Sequence, residues 1–107
     1  MPYLITTATY PSDKAPDVAN RYLEAIAKYP PDENLATEVV PAAVKSTSQG
    51  LKVLTIMDVK KGKLEEAMSR MVNFESMFLN IAGYEHEIAT FYKLEEALAV
   101  IGMSLPE

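Results

Sequence analysis

His86 is the only histidine of the chain and the only side chain expected to titrate near neutral pH without perturbation. It stands in the stretch Tyr84 to Phe91, which reads Tyr-Glu-His-Glu-Ile-Ala-Thr-Phe. Alternate side chains of a strand share a face, so Tyr84, His86, Ile88 and Thr90 point one way while Glu85 and Glu87 point the other. If neighbouring strands add Thr7, Thr9 or Thr55, then His86 and Tyr84 form a small polar pocket in an apolar cavity, the usual shape of a ligand site. The plainer expectation is a surface or interface histidine near the start of a strand.

Other residues offer less chemistry. One His, no Cys and no carboxylate–histidine pair at helical spacing leave too few ligands for zinc, and neither a metal nor a cofactor is expected. The lack of cysteine also excludes disulfides and thiol nucleophiles, and no serine has a histidine at a recognisable spacing. Glu65-Glu66 and Glu95-Glu96 are adjacent pairs, which on a helix point in different directions and cannot serve one substrate together. They read as solvated charges at helix starts. Asp58 lies among apolar strand residues, where burial would raise its pKa, but a salt bridge near the sheet edge is the simpler expectation. Lys52, Lys60, Lys61 and Lys63 suggest a small anion-holding patch, yet without a glycine-rich cradle a solvated turn is favoured. Met57, Met68, Met71 and Met77 suit an adaptable binding surface or an ordinary core, and core is the expectation.

The elements that must position these residues follow from pattern. Tyr3 to Tyr10 is rich in β-branched and aromatic residues and ends at Pro11, which predicts a first strand. Ser12 or Asp13 offers a helix cap, Pro16 suits a first turn, and Val18, Tyr22, Ile26 and Tyr29 recur at helical spacing until Pro30-Pro31. Thr37 to Thr47 has strand composition, but Pro41 cannot donate to a ladder, so an edge strand or a bulge is required. Ser48-Gln49-Gly50 reverses the chain into a third strand, Leu51 to Lys60. Leu64, Ala67, Met68, Met71, Phe74, Phe78 and Ile81 then predict the strongest helix, with Gly83 placed to end it. Tyr84 to Lys93 is the fourth strand, and Leu94 to Met103 adds one or two helical turns.

The 107 residues fit one domain, long enough to bury roughly 60–70% of the surface exposed by the unfolded chain. Apolar residues at 49% and charged residues at 23% indicate a globular protein rather than a disordered or membrane one. Met1 to Pro11 lacks the features of a signal peptide, no apolar run is long enough to span a bilayer, and a soluble cytoplasmic protein is expected. Ten basic against fifteen acidic residues give a net charge of −5, which disfavours a polyanion, so nucleic acid and membrane are not expected partners.

The order βαββαβ, with right-handed crossovers, predicts an α+β ferredoxin-like fold: an antiparallel four-stranded sheet, strand order 4-1-3-2, with both helices on one face. The Pro41 strand then falls at an edge. A sheet covered on one side should alternate between an apolar and a charged face. These strands do not: the first carries no charge on either face, and the middle of the third is apolar on both. An uncharged second face calls for a second cover, which a sheet-to-sheet homodimer supplies through twofold contacts.

Given this order of elements, the chain resembles the dimeric α/β-barrel superfamily, in which two ferredoxin-like subunits pack their sheets together. It also resembles small uncharacterised prokaryotic proteins with a Tyr-Pro-Pro-Asp connector, here Tyr29 to Asp32, and a terminal Leu-Glu-Glu-Ala-Leu segment, here Leu94 to Leu98. That resemblance implies a range of activities, from cofactor-independent monooxygenases and lactone isomerases to ligand-binding domains and proteins without known activity. The leading expectation is a non-enzymatic or small-ligand-binding homo-oligomer, with itself and a small apolar molecule as partners. The alternative is a cofactor-independent enzyme acting on a small apolar or aromatic molecule beside Tyr84 and His86.

Overall fold

Eight-residue alternation explains the strand at the centre of this molecule. In the computed structural model, which describes residues 1–106, Leu4, Thr6, Ala8 and Tyr10 of β1 (Tyr3–Tyr10) are buried and the residues between them face the other side. A short 3-10 turn (Ser12–Lys14) leads to α1 (Ala15–Lys28), followed by β2 (Ala36–Thr47), β3 (Gly50–Val59), α2 (Leu64–Ser76), β4 (Glu85–Phe91) and α3 (Leu94–Val100). The result is an α+β fold with one sheet of order β2-β3-β1-β4, every neighbouring pair antiparallel. Read from the other edge this is the expected order 4-1-3-2.

Pro41 does lie in an edge strand. The β2–β3 register shifts between Val40 and Ala43, where proline has no N–H to give, and the Thr55 hydroxyl donates to the Pro41 carbonyl at 3.2 Å. Both long helices cover the same face. Val18 and Ala25 of α1, Ala67, Met71 and Phe74 of α2, and Leu4, Met57 and Val59 of the sheet belong to one core, in which Leu4 is 0% exposed. Met57 and Met71 fill that core, while Met68 and Met77 pack at its border, as their spacing suggested.

Three local expectations require correction. Neither Ser12 nor Asp13 caps α1; the 3-10 turn occupies them, closed by the Lys14 N–H on the Pro11 carbonyl at 3.0 Å, and Lys14 takes the cap position. The second helix stops at Ser76 instead of reaching Ile81. The Ser76 hydroxyl donates to the Asn73 carbonyl at 2.6 Å, and the N–H groups of Phe78, Leu79 and Ile81 reach only three residues back. Those tight turns still bury Phe78 and Ile81. Gly83 therefore does not end a long helix; its φ of 81° closes the turn where a Cβ would sit 2.6 Å from the Pro11 ring. The fourth strand is also shorter than expected, starting at Glu85 and leaving Tyr84 in the turn before it.

Two arginines fasten the helix layer. Arg70 of α2 donates from Nη2 to the Tyr29 carbonyl and from Nε to the Pro30 carbonyl, both at 2.9 Å, and so satisfies groups at the open end of α1. Arg21 of α1 returns the favour at the end of α2, donating to the Met77 carbonyl and, at 2.7 Å, to Asn80 Oδ1. The Tyr29 to Asp32 connector is thus held from above by Arg70 and from within by Asp32, whose side chain accepts the Asn34 N–H at 2.9 Å.

Arg70→Ala is expected to lower the unfolding free energy by about 1–3 kcal/mol, because two charged hydrogen bonds to carbonyls are lost together. Urea denaturation measures this, and Arg70→Lys should recover only part of the loss, since one ammonium cannot reproduce the two-pronged contact.

Candidate functional site

The residues expected to form a polar pocket are divided by the sheet. His86 pairs with Ala8 and shares the helix-covered face with Tyr84 and Ile88, whose side chains pack on the core. Thr55 lies on that same face, whereas Thr7 and Thr9 lie on the opposite one. Thr90 pairs with Leu4, about 14 Å along the strand from His86, and is exposed. The structure therefore unites Tyr84 with His86, their rings 6.3 Å apart, and adds neither Thr7 nor Thr9 to a shared interior. His86 is itself exposed, bordering a shallow, charged hollow of about 210 Å³ that also touches Thr7, Thr9, Lys52, Glu85 and Glu87.

The other candidates resolve simply. Lys52 stands eight residues along β3 from Lys60, about 27 Å away, so no four-lysine patch forms. Asp58 does make a salt bridge, but with Lys93: the ammonium lies 2.8 Å from both carboxylate oxygens and 5.4 Å from the centre of the Tyr3 ring. Asp58 holds the Lys93 ammonium above its ordinary range. Glu65-Glu66 and Glu95-Glu96 occupy first turns of α2 and α3, where acidic charge suits the helix dipole. No group of three metal-ligating His, Cys, Asp or Glu side chains occurs among the described residues.

A stronger site forms around Glu75, which the sequence reading passed over. Glu75 is only 5% exposed, and the Tyr84 hydroxyl donates to its Oε2 at 2.6 Å. No Lys or Arg pairs with it among the described residues. Burial raises the Glu75 pKa, opposed by the Tyr84 hydrogen bond and by the His86 charge. The Tyr84 hydroxyl is in turn pushed far above its ordinary range, first by burial and then by the Glu75 carboxylate. Tyr84 is fixed between Tyr10 and Phe78, stacked on both with ring centres 6.1 and 4.9 Å away.

Next to Glu75 is a void of about 50 Å³, lined by Thr6, Thr55, Tyr10, Tyr22 and Tyr84 together with apolar side chains. The Thr6 hydroxyl oxygen is buried there without a partner, in a residue 3% exposed. A second void of about 30 Å³ adjoins it, sharing Tyr22, Thr55, Phe74 and Glu75 and leading toward Arg70 and Glu38. Space of this size suits one or two water-sized molecules, whereas a benzene ring requires about 150 Å³. One signal in the sequence marks Glu75: Met68, Met71, Glu75 and Phe78 recur at spacings of three and four, which sets a carboxylate in the apolar stripe of a helix.

The sheet's other face is open. Ile5, Ile56 and Ala89 form an apolar row across its middle; Leu54 and Thr7 share the next row with Glu87, the row beyond holds Lys52, Thr9 and Glu85, and at the opposite end Tyr3 and Phe91, the latter 53% exposed, share a row with Asp58 of the Asp58–Lys93 pair. Beside that pair begins α3, which has no buried residue and leaves Leu94 and Val100, and Ile101 just after it, exposed.

The buried carboxyl makes stability depend on pH with a definite sign. Its folded pKa exceeds its unfolded one, so the folded protein holds the extra proton between the two values, and stability falls as pH rises through that window. NMR titration of the Glu75 carboxyl should place its midpoint above the usual carboxylate range. Tyr84→Phe, which removes a hydrogen bond favouring the ionised form, should move it higher still; an unchanged midpoint would contradict this assignment.

No known family model matches the sequence, and no curated protein matches it. Among solved structures the chain is similar to one titled "De novo designed protein Foldit4", with 14% sequence identity over 87% of this chain and 99% of that one, at a TM-score of 0.48.

Proposed function

We propose that this chain is the ferredoxin-like subunit of a homodimer in which two open sheet faces pack together, and that it acts as a binding protein rather than an enzyme. The observation that carries this reading is the open face: a central row of Ile5, Ile56 and Ala89 without charge, with Leu54 in the row on one side and Tyr3 and Phe91 in the row on the other. Phe91 is exposed and the others are half-buried; apolar side chains left uncovered on one sheet face mark an interface. One end of the face, Lys52 with Glu85 and Glu87, carries both signs, which offers a second copy opposite charges to meet.

Size bears on how such a dimer would close. Four strands over about seven residues give a flat footprint of roughly 450 Å². A standard interface buries about 800 Å² per partner, so the sheets need a contribution from neighbouring apolar surface. The exposed side chains of α3 supply it, adjacent to the same face.

A cofactor-independent enzyme acting on an aromatic molecule receives less support. His86 is exposed, and the space beside Tyr84, about 50 Å³, is well below the roughly 150 Å³ of a cavity that holds a benzene ring.

Native mass spectrometry at micromolar concentration should give a species of two 11.8 kDa chains. Ile56→Glu, which places a charge in the centre of the open face, should give the single-chain mass with an unchanged far-UV circular dichroism spectrum. Leu79→Glu, on the exposed turn after α2, should remain dimeric. A single-chain mass for the unaltered protein would overturn the proposal.

A further inference from the structure

The geometry points to the void beside Glu75 as a binding site for one small ammonium-type cation, either ammonium itself or a methylammonium-sized head group. This goes beyond the dimer reading and does not depend on it, because every lining residue comes from one chain. Three features of the void select the ligand.

The first is an excess of acceptors. Glu75 contributes a carboxylate with a single protein hydrogen bond, from Tyr84. Thr6 contributes a buried hydroxyl oxygen with no partner, and the Thr55 hydroxyl has spent its proton on the Pro41 carbonyl and keeps its lone pairs. The second is the missing positive charge. Among the described residues no Lys or Arg lines this void; Arg70, in the adjoining one, is committed to the Tyr29 and Pro30 carbonyls. A water molecule brings two donors and no charge, while an ammonium brings four donors and the charge that a buried carboxylate lacks. The third is the lining itself. Tyr10, Tyr22, Phe74, Phe78 and Tyr84 surround the carboxylate with aromatic rings, which attract cations electrostatically.

Alternatives fit less well. A divalent metal needs several anionic or imidazole ligands, and Glu75 stands without two companions of that kind. A benzene-sized ligand exceeds the roughly 50 Å³ of space. The groups bearing on the carboxyl from surrounding elements are Tyr10 on β1, Tyr22 on α1, Tyr84 and His86 around the start of β4, and, farther off, Glu38 and Arg70. Because a bound cation favours the ionised carboxylate, binding expels any proton held there, and affinity should rise with pH.

The test measures the thermal unfolding midpoint of the full chain above neutral pH, at fixed protein concentration. Solutions contain about 0.1 M ammonium, methylammonium, tetramethylammonium or sodium chloride. Ammonium or methylammonium should raise the midpoint by at least about 3 °C relative to the other two salts. Glu75→Gln preserves the side chain's size and should abolish that difference, and Thr6→Val should reduce it. As an independent readout on the unaltered protein, methylammonium should lower the NMR titration midpoint of the Glu75 carboxyl. Equal midpoints in all four salts, a full response in Glu75→Gln, or a Glu75 titration indifferent to methylammonium would overturn the assignment.

Discussion

A four-stranded sheet has two faces, and the two long helices of this chain cover one of them. Everything else in the architecture answers to that asymmetry. Leu4, Ala8, Tyr10, Met57 and Val59 turn toward the helices and form the core, so the residues alternating with them are committed to the far side by the period of the strand. On a solitary subunit those positions would be expected to carry charge. Ile5, Leu54, Ile56 and Ala89 occupy them instead, with no charge in the row of Ile5, Ile56 and Ala89. The packing of the covered face thus leaves the open face as the apolar surface that the proposed dimer would cover.

The covered side is held by polar contacts that cross between elements. Arg21 and Arg70 each reach from one helix to the end of the other, so the antiparallel pair is pinned at both ends without a direct ion pair between the helices. Glu75 sits between these clamps in the same layer. Removing a carboxylate from water costs several kcal/mol when no cation accompanies it. One hydrogen bond from Tyr84 offsets only part of that, and the unpartnered Thr6 hydroxyl adds to the imbalance. Packing alone does not explain this buried polar group.

Much of the fold was legible in the sequence because it depends on periodicity and on proline. The bounds of β1 follow from its composition and from Pro11, and the edge position of β2 follows from Pro41, a residue that a central strand cannot hold. The end of α2 was not legible, since Phe78 and Ile81 continue the helical period although the chain there has tightened into three-residue turns. Periodicity records which side chains are buried and does not distinguish the two backbones that bury them. The site was obscured for a related reason. Assigning His86 to the helix-covered face required knowing that Tyr84 turns inward to stack between Tyr10 and Phe78, a contact between residues 74 positions apart at its extreme. Glu75 was visible as a charged residue in an apolar stripe, but its burial depends on how closely α2 approaches the sheet.

The most direct test of the central claim is hydroxyl-radical footprinting of the unaltered protein across a dilution series. If the open face is covered by a second copy, labelling of Ile5, Leu54, Ile56 and Phe91 will be suppressed at high concentration and will rise together on dilution. Leu23 and Leu79, exposed on the helix side, will label equally at every concentration. Open-face residues that label as freely as those two leucines at the highest concentration would contradict the account.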